Sequence, residues 1–204
     1  MMERKNTVSR FVARLAMAVI AAYIGLAQPA HAFQLYFKCL GEYGNCDTGE
    51  QQLEVEVADS GDGNIALIFT NNGSAPSAIA SVYIDDERGT LSGPPKIHQD
   101  APDVIFDLGV SPTNLPGGAK AAPSFSAESK LSVSAGSPHR SMGVNPGEQL
   151  GLIYPLSPGR TFEDVVADLS VGNLRLGVHV VGFASKGPQS FVSQQLLTET
   201  IARR

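Results

Sequence analysis

Short runs in which apolar and polar residues alternate constrain the fold of this chain more than any other feature of its sequence. Leu53, Val55 and Val57 alternate with glutamine and glutamate, so all three point to one face of an extended strand. The turn-forming stretch "DSGDGN" (59–64) follows, and an apolar run returns behind it at 65–71. The two runs therefore predict a β-hairpin.

Further strands are predicted along the rest of the chain, and stretches rich in Gly, Pro and Ser separate them. They lie at 78–86, 104–108, around 125–133, and at 149–156, 174–183 and 190–192. Many short strands with such boundaries favour an all-β fold. We predict one antiparallel β-sandwich domain, jelly-roll-like, over residues 33–192.

One segment departs from this pattern and predicts a short α-helix over 161–170. Thr161 is suited to cap the helix, and Asp164 stands three residues later, as in a capping box. Apolar residues follow at helical spacing, namely Phe162, Val165, Val166 and Leu169. Gly172 supplies the stop signal. The apolar stripe is expected to pack against the core.

The first 32 residues have the three parts of a secretory signal peptide. Four basic residues, namely Arg4, Lys5, Arg10 and Arg14, precede a short apolar stretch from Leu15 to Ala27. The small residues Ala30 and Ala32 then form a cleavage site, and we predict cleavage after Ala32. The alternative is a membrane anchor, but a spanning helix needs about 20 apolar residues. The expected location is secreted, periplasmic or cell-envelope, with a mature chain that does not span the membrane.

The charge of the mature chain excludes some partners. The whole sequence has 15 Lys and Arg against 20 Asp and Glu, a net charge of −5. The predicted leader holds four of the basic residues and one acidic residue, which leaves eleven against nineteen, a net charge of −8. No basic run remains, so nucleic acid and anionic membrane surfaces are poor partners.

The two cysteines, Cys39 and Cys46, most simply form a disulfide in an exported chain. A zinc site would need two more ligands, and no CxxC motif or paired histidine supplies them. A redox-active pair is usually closer in sequence and at the start of a helix, whereas Gly41, Gly44 and Asn45 indicate a turn.

Several longer phrases occur in a characteristic order. They are "SVYIDDERGTLSG" (81–93), "SPTNLPGG" (111–118), "GVNPGEQLGLIY" (143–154), "TFEDVVADL" (161–169), and "LRLGVHVVGF" (174–183) followed by "SFV" (190–192). This order resembles a group of exported bacterial proteins that often carry a PEP-CTERM sorting tail and have no assigned activity. The resemblance spans about residues 33–192. The C-terminal tail, residues 193–204, lacks the Pro-Glu-Pro motif and the apolar helix of such proteins, so free export is expected.

No catalytic residue is predicted from the sequence. His98, His139 and His179 are far apart and lack metal-ligand spacing. His179 belongs to the less apolar face of its strand, together with Arg175, and is expected to be a hydrogen-bonded strand residue. The GxSxG motif of serine hydrolases is absent, Trp is absent altogether, and the acidic residues cluster in turns.

Two acidic turns are weak candidates for a Ca²⁺ site, since Ca²⁺ prefers carboxylate and carbonyl oxygens. Asp59 and Asp62 lie in the hairpin turn, and Asp85, Asp86 and Glu87 lie at a strand end. Asp residues are also common in turns without any metal, which is the simpler explanation. The two turns could share an ion only if they lie at the same end of the sandwich. No other cofactor is expected.

The loop "GVNPGE" (143–148) is interpreted as a structural turn. Gly143 and Gly147 permit a positive φ, and Pro146 fixes the turn before the next strand. A phosphate-binding loop would need a following helix and a lysine, and neither is present.

Two functions from different classes remain open. The first is a non-catalytic β-sandwich that acts as a structural, matrix or glycan-interaction module, with extracellular polysaccharides or surface proteins as partners. The alternative is an exported hydrolase, acting on an ester or glycan, with no recognisable motif. An enzyme should gather titratable residues in one concave pocket, whereas a binding module should expose a shallow patch with aromatic residues.

Overall fold

Strand β1 (Ala32–Cys39) links the two halves of the structure, because its ends pair with different neighbours. Its first part pairs with β2 (Leu53–Gly61), and its last three residues pair with β10 (Gln189–Ser193). The computed structural model describes residues 31–41, 44–184 and 187–195. The predicted leader up to residue 30, and residues 196–204 of the predicted tail, lie outside the described residues.

Seven further strands complete the two halves of the sheet in an antiparallel arrangement. The strands are β3 (Asn64–Asn71), β4 (Ala78–Asp86), β5 (Lys96–Gln99), β6 (Phe106–Leu108), β7 (Val133–Ala135), β8 (Gln149–Pro155) and β9 (Leu174–Val181). Sheet A has the strand order β5-β8-β3-β2-β1, and sheet B has the order β1-β10-β9-β4-β7-β6. The helices are α1 (Cys46–Gln52), α2 (His139–Met142) and α3 (Phe162–Val171). The predicted all-β antiparallel fold is confirmed.

One apolar core receives side chains from both sheets. Leu67 and Phe69 of sheet A are fully buried, and they belong to the same cluster as Val82 and Val178 of sheet B. The alternation that predicted β2 is confirmed, since Leu53, Val55 and Val57 are buried while the glutamates between them are half-exposed. Period-two burial is what a sheet with one solvated face produces.

Helix α3 begins and ends where the sequence predicts. The Thr161 side chain accepts a hydrogen bond from the Asp164 amide, and the Asp164 carboxylate accepts one from the Thr161 amide. Gly172 ends the helix in the left-handed conformation with φ +80°. Phe162, on the first turn, packs against Phe33 of β1, with ring centroids 6.0 Å apart.

Other elements differ from the sequence-based expectation. Two additional short helices, α1 and α2, accompany the predicted one. The strand expected around 125–133 is a loop with one 3₁₀ turn, and β7 follows it at Val133. Strands β1 and β5 were not predicted. Strand β10 extends to Ser193, and the Gln194 amide donates to the Tyr36 carbonyl (2.8 Å), so the domain reaches slightly past 192.

Among the described residues, no helix combines the length and the apolar character needed to cross a membrane.

Candidate functional site

The predicted disulfide between Cys39 and Cys46 is present, and it joins the end of β1 to α1. The Cα atoms lie 5.3 Å apart, within the usual range for a disulfide. Glu50 of α1 accepts hydrogen bonds from the Cys39 amide (3.0 Å) and from the Lys38 ammonium (2.9 Å). Cys46 is the first residue of a helix, not part of the expected turn, and the disulfide holds this helix against the sheet.

Asp59 lies near the end of β2, and Asp62 lies in the hairpin turn between β2 and β3. Asp59 Oδ1 accepts a hydrogen bond from the Gly61 amide (2.9 Å), and Asp62 has φ +52°. The Asn64 side chain donates to the carbonyl oxygens of Gly61 (3.2 Å) and Asp62 (3.1 Å). These are the local contacts by which Asp and Asn stabilise turns.

Asp85 is buried on the outer face of sheet B, where it forms an ion pair with the half-buried Arg175 of β9. Its Oδ2 also accepts a hydrogen bond from the Ser126 amide (2.9 Å). The Arg175 guanidinium donates to the carbonyl oxygens of Pro123 (2.5 Å) and Ser124 (2.7 Å). The carboxylate therefore serves to hold segment 123–126 against the sheet.

Asp86 is buried, and its two carboxylate oxygens accept hydrogen bonds from the amides of Thr90 (2.9 Å) and Leu91 (2.8 Å). Glu87 is exposed. With Asp85 they line a surface pocket of about 440 Å³ whose other walls are Pro123, Ser124, Ser126, Glu128 and Arg175. The carboxylates of Asp85 and Asp86 thus already have ion-pair or hydrogen-bond partners within the protein.

The two acidic turns lie at the same end of the sandwich, which the sequence left open. The Leu156 amide donates to the Gly63 carbonyl (2.8 Å), and the neighbouring Ser157 amide donates to the Thr90 carbonyl (2.9 Å). Within residues 31–41, 44–184 and 187–195, no group of three or more His, Cys, Asp or Glu is arranged to hold a metal ion. The Ca²⁺ site stays a prediction.

The turn at 143–148 is present, but its glycines are needed for different reasons. Pro146 and Gly147 form the turn, and Gly147 has φ +89°. Gly143 has φ −82°, so the expectation of a positive φ there is wrong. A Cβ on Gly143 would lie 2.4 Å from the Ile79 carbonyl oxygen. Close approach of two backbones therefore explains the glycine at 143.

Segment 109–128, here named the strap, covers part of the outer face of sheet B. Its side chains Leu115 and Phe125 form a second apolar cluster with Tyr83 of β4. Gly177 of β9 leaves room for them, since a Cβ there would lie 2.8 Å from Leu115 Cδ2 and 3.0 Å from Phe125 Cζ. The strap thus closes this half of the face.

A row of polar side chains crosses the remainder of the same face. In the strand register Ser190 faces His179, His179 faces Ser81, and Ser81 faces Ser134. His179 Nδ1 lies 2.9 Å from Ser190 Oγ. Burial, with a smaller contribution from the charge of His139, lowers the pKa of His179 and so favours the neutral form of its ring. His179 therefore occupies the kind of strand position that the sequence indicated.

The outer face of sheet A has no comparable cover among the described residues, and we name it the open face. It consists of Gln34, Tyr36, Glu54, Glu56, Ile68, Thr70, Lys96, His98, Gln149, Gly151 and Ile153, which are all exposed or half-exposed. In the register Tyr36 faces Glu54, and Gln34 faces Glu56. Tyr36 is 53 % exposed. An aromatic ring thus stands beside a row of hydrogen-bonding side chains.

The open face is acidic at its centre. Burial, followed by the charge of Glu56, raises the pKa of Glu54. The Glu54 carboxylate accepts a hydrogen bond from the Asn72 side chain. Lys96 and His98 lie at the far edge, on β5. The central carboxylates disfavour anions and can accept hydrogen bonds from hydroxyl groups.

Comparison of the chain with protein-family models, with curated proteins and with solved structures finds no match.

The sequence predicts strand β2 of the open face, with its half-exposed glutamates, but not β1 and β5, the strands at its two edges. It identified the half-exposed glutamates of β2, but not Tyr36 on β1 or His98 on β5. A signal for β1 was present, since Phe33, Leu35 and Phe37 alternate with polar or amphipathic residues.

Proposed function

We propose that this protein is an exported, non-catalytic β-sandwich that binds a neutral polysaccharide through the open face. One observation carries the proposal, namely that the outer faces of the two sheets differ in how far other segments cover them. The strap and α2 lie over the outer face of sheet B, whereas the outward side chains across sheet A remain accessible. An extended accessible face suits an extended ligand better than a small one.

The chemistry of the open face suits a sugar chain. The exposed Tyr36 ring offers an apolar surface on which the face of a sugar can lie, and its hydroxyl group can hydrogen-bond. Gln34, Glu56 and Thr70 add donors and acceptors for sugar hydroxyls. The acidic centre favours a neutral polysaccharide over an anionic one.

Export is supported by three independent features. The first 32 residues read as a secretory leader, the disulfide between Cys39 and Cys46 suits an oxidising compartment, and the sequence phrases resemble exported bacterial proteins.

The test is affinity electrophoresis of the exported protein in gels that contain a neutral glucan, a neutral mannan or the anionic polymer alginate. We expect retardation by a neutral polymer and none by alginate. Tyr36→Ala should weaken binding by about tenfold, the scale of one lost aromatic contact. Leu108→Ala is the matched control, because Leu108 is 55 % exposed but lies on sheet B. Equal binding by wild type and Tyr36→Ala would contradict the proposal.

One observation favours the alternative, an exported hydrolase. Ser190 Oγ lies 2.9 Å from His179 Nδ1, a distance at which a histidine can take a serine proton. Ser190 is only 6 % exposed, however, and in the hydrogen bonds of the described residues no carboxylate orients His179. Hydrolysis of esters or glycans by the wild type that Ser190→Ala abolishes would replace the non-catalytic function with this one.

A further inference from the structure

The loop that follows β3 contains the one Asn-Gly pair of the sequence, Asn72 and Gly73. Asn72 comes directly after the last residue of β3, it is exposed, and neither residue of the pair belongs to a helix or strand. The side chain of an asparagine that precedes glycine is open to attack by the next backbone nitrogen, because glycine has no Cβ to obstruct the approach. The pair therefore has the local chemistry of a modification site.

Packing requires the glycine at position 73. A Cβ there would collide with the side chain of Gln52, the last residue of α1. Gln52 is only 5 % exposed, and its side-chain amide donates to the Ala75 carbonyl (3.2 Å) and to the Ser77 hydroxyl, so it is held in place. Among the hydrogen bonds of the described residues, none has the Gly73 amide as donor. The attacking nitrogen is therefore not held by another described group.

The Asn72 side chain is held by Glu54 of β2. Asn72 Nδ2 donates to a carboxylate oxygen of Glu54, and the Asn72 backbone amide donates to the Gln52 carbonyl (2.7 Å). The side chain must turn away from Glu54 before its Cγ can approach the Gly73 nitrogen. The hydrogen bond should therefore slow the attack without preventing it, because water can replace a hydrogen bond at an exposed position.

We propose that Asn72 is a site of spontaneous deamidation and that Glu54 controls its rate. The Gly73 nitrogen bonds to Asn72 Cγ, the Cγ–Nδ2 bond breaks, and ammonia leaves with the proton of the Gly73 amide. Water then opens the resulting cyclic imide at either of its carbonyl groups, which gives aspartate or isoaspartate at position 72. Water is the one co-reactant, so the reaction needs no enzyme.

Deamidation changes the charge beside Glu54. The hydrogen-bond donor of Asn72 is replaced by a carboxylate, which at neutral pH can only accept hydrogen bonds. Glu54 then has a like charge in place of its partner, in addition to Glu56 on the same face of β2. The modified protein therefore carries one more negative charge at the end of the open face. The reaction itself does not depend on the proposed binding of polysaccharide.

The experiment is incubation of the purified protein at neutral pH, followed by peptide mass mapping and by enzymatic labelling of isoaspartate. Replacement of –NH₂ by –OH raises the mass of the peptide that contains Asn72. Asn64 is the internal control, because it is half-exposed and hydrogen-bonded too, but the branched side chain of Ile65 hinders attack. We expect Asn72 to be converted and Asn64 to stay intact.

Glu54→Ala tests the role of the carboxylate. This variant should convert Asn72 about 2- to 10-fold faster than the wild type, the range that corresponds to the net contribution of one hydrogen bond. Glu56→Ala is the matched control, since it removes the same charge from the same face of β2 while the described acceptor of Asn72 stays in place. Its rate should equal that of the wild type.

Conversion of Asn72 no faster than that of Asn64 would overturn the proposal, and this comparison within the wild type needs no variant to fold. If Glu54→Ala converts Asn72 no faster than Glu56→Ala does, Glu54 does not control the rate. Residues 72–74 also read Asn-Gly-Ser, an acceptor sequence for N-glycosylation. A glycan on Asn72 would contradict the proposal as well, because the sugar would occupy the nitrogen that must leave.

Discussion

Arg175 and Asp85 face each other across β9 and β4 and form an ion pair on the outer face of sheet B, in which Asp85 is buried and Arg175 is half-buried. The guanidinium lies 5.3 Å from the centre of the Phe125 ring, so it also contacts the strap from above the sheet. The Asp85 carboxylate accepts the Ser126 amide of the same segment. One ion pair thus joins two strands and the strap that covers them.

Replacing Arg175 with methionine should lower the free energy of unfolding by about 3–5 kcal/mol, because Asp85 is then left buried without a cation. Urea unfolding followed by circular dichroism measures the change. The double variant Arg175→Met with Asp85→Leu should recover part of the loss.

Lys130→Met provides the control for this prediction. Lys130 pairs with Glu128 at 3.2 Å, but its side chain is 62 % exposed, and such surface pairs contribute about 1 kcal/mol or less. If Arg175→Met costs no more than Lys130→Met, the ion pair does not hold the strap.

Thr161→Ala should lower the free energy of unfolding by about 0.5–2 kcal/mol, since the helix loses the side-chain oxygen that caps the Asp164 amide. The same urea titration measures it. Ser170→Ala is the comparison within α3, because the Ser170 hydroxyl donates to Val166 inside the helix (2.7 Å) and caps nothing. If Ser170→Ala lowers the free energy of unfolding more than Thr161→Ala does, the Thr161 side chain does not act as a stabilising cap.

Gly143→Ala should destabilise the protein by about 1–3 kcal/mol, because the new methyl group meets the Ile79 carbonyl oxygen at 2.4 Å. Gly93→Ala is the matched control, since its Cβ would meet only Pro155 Cγ, at 3.8 Å. Differential scanning calorimetry should show a clear fall in Tm for the first variant and almost none for the second. Similar Tm values would show that the backbone around residue 143 shifts to make room for the methyl group at little cost in stability.

The sequence predicts those parts of the fold that depend on neighbours along the chain. Alternation over 53–57 and 65–71 is a local signal, and it located the hairpin of β2 and β3. The capping box at Thr161 and the glycine at 172 are equally local, and they placed α3 within one residue. The presence of two cysteines in a chain with a predicted secretory leader likewise sufficed to predict the disulfide between Cys39 and Cys46.

The candidate sites depend instead on strand register, which the sequence does not specify. Ser190 and Ser81 flank His179 only because β10, β9 and β4 pair as they do. Helix α2 lies beside β4 because Val144, just past the end of the helix, exchanges backbone hydrogen bonds with Ile79. Contacts between residues so distant in the chain leave no local pattern in the sequence, so the sequence does not predict them.

The last prediction concerns acid stability and the pair His139 and His179. Burial and the charge of His139 lower the pKa of His179 in the folded state. The unfolded chain therefore takes up this proton at a higher pH than the folded chain does. The stability that His179 contributes is complete above its unfolded pKa of about 6.5 and is lost as the pH falls from there toward the lower folded pKa.

Urea midpoints measured between pH 8 and pH 5, with a chelator present so that no metal contributes, should therefore fall as the pH drops below about 6.5. His179→Gln keeps a polar side chain opposite Ser190 but cannot titrate, so its midpoint should fall less steeply over the same range. His98→Gln, on the exposed edge of the open face, should follow the wild type. Among the described residues, Ser81, Ser190 and His139 are those shown near His179, and none of them is an acid that could offset a charge on the ring. Parallel curves for the wild type and His179→Gln would mean that this histidine is protonated in the folded protein as easily as in the unfolded chain.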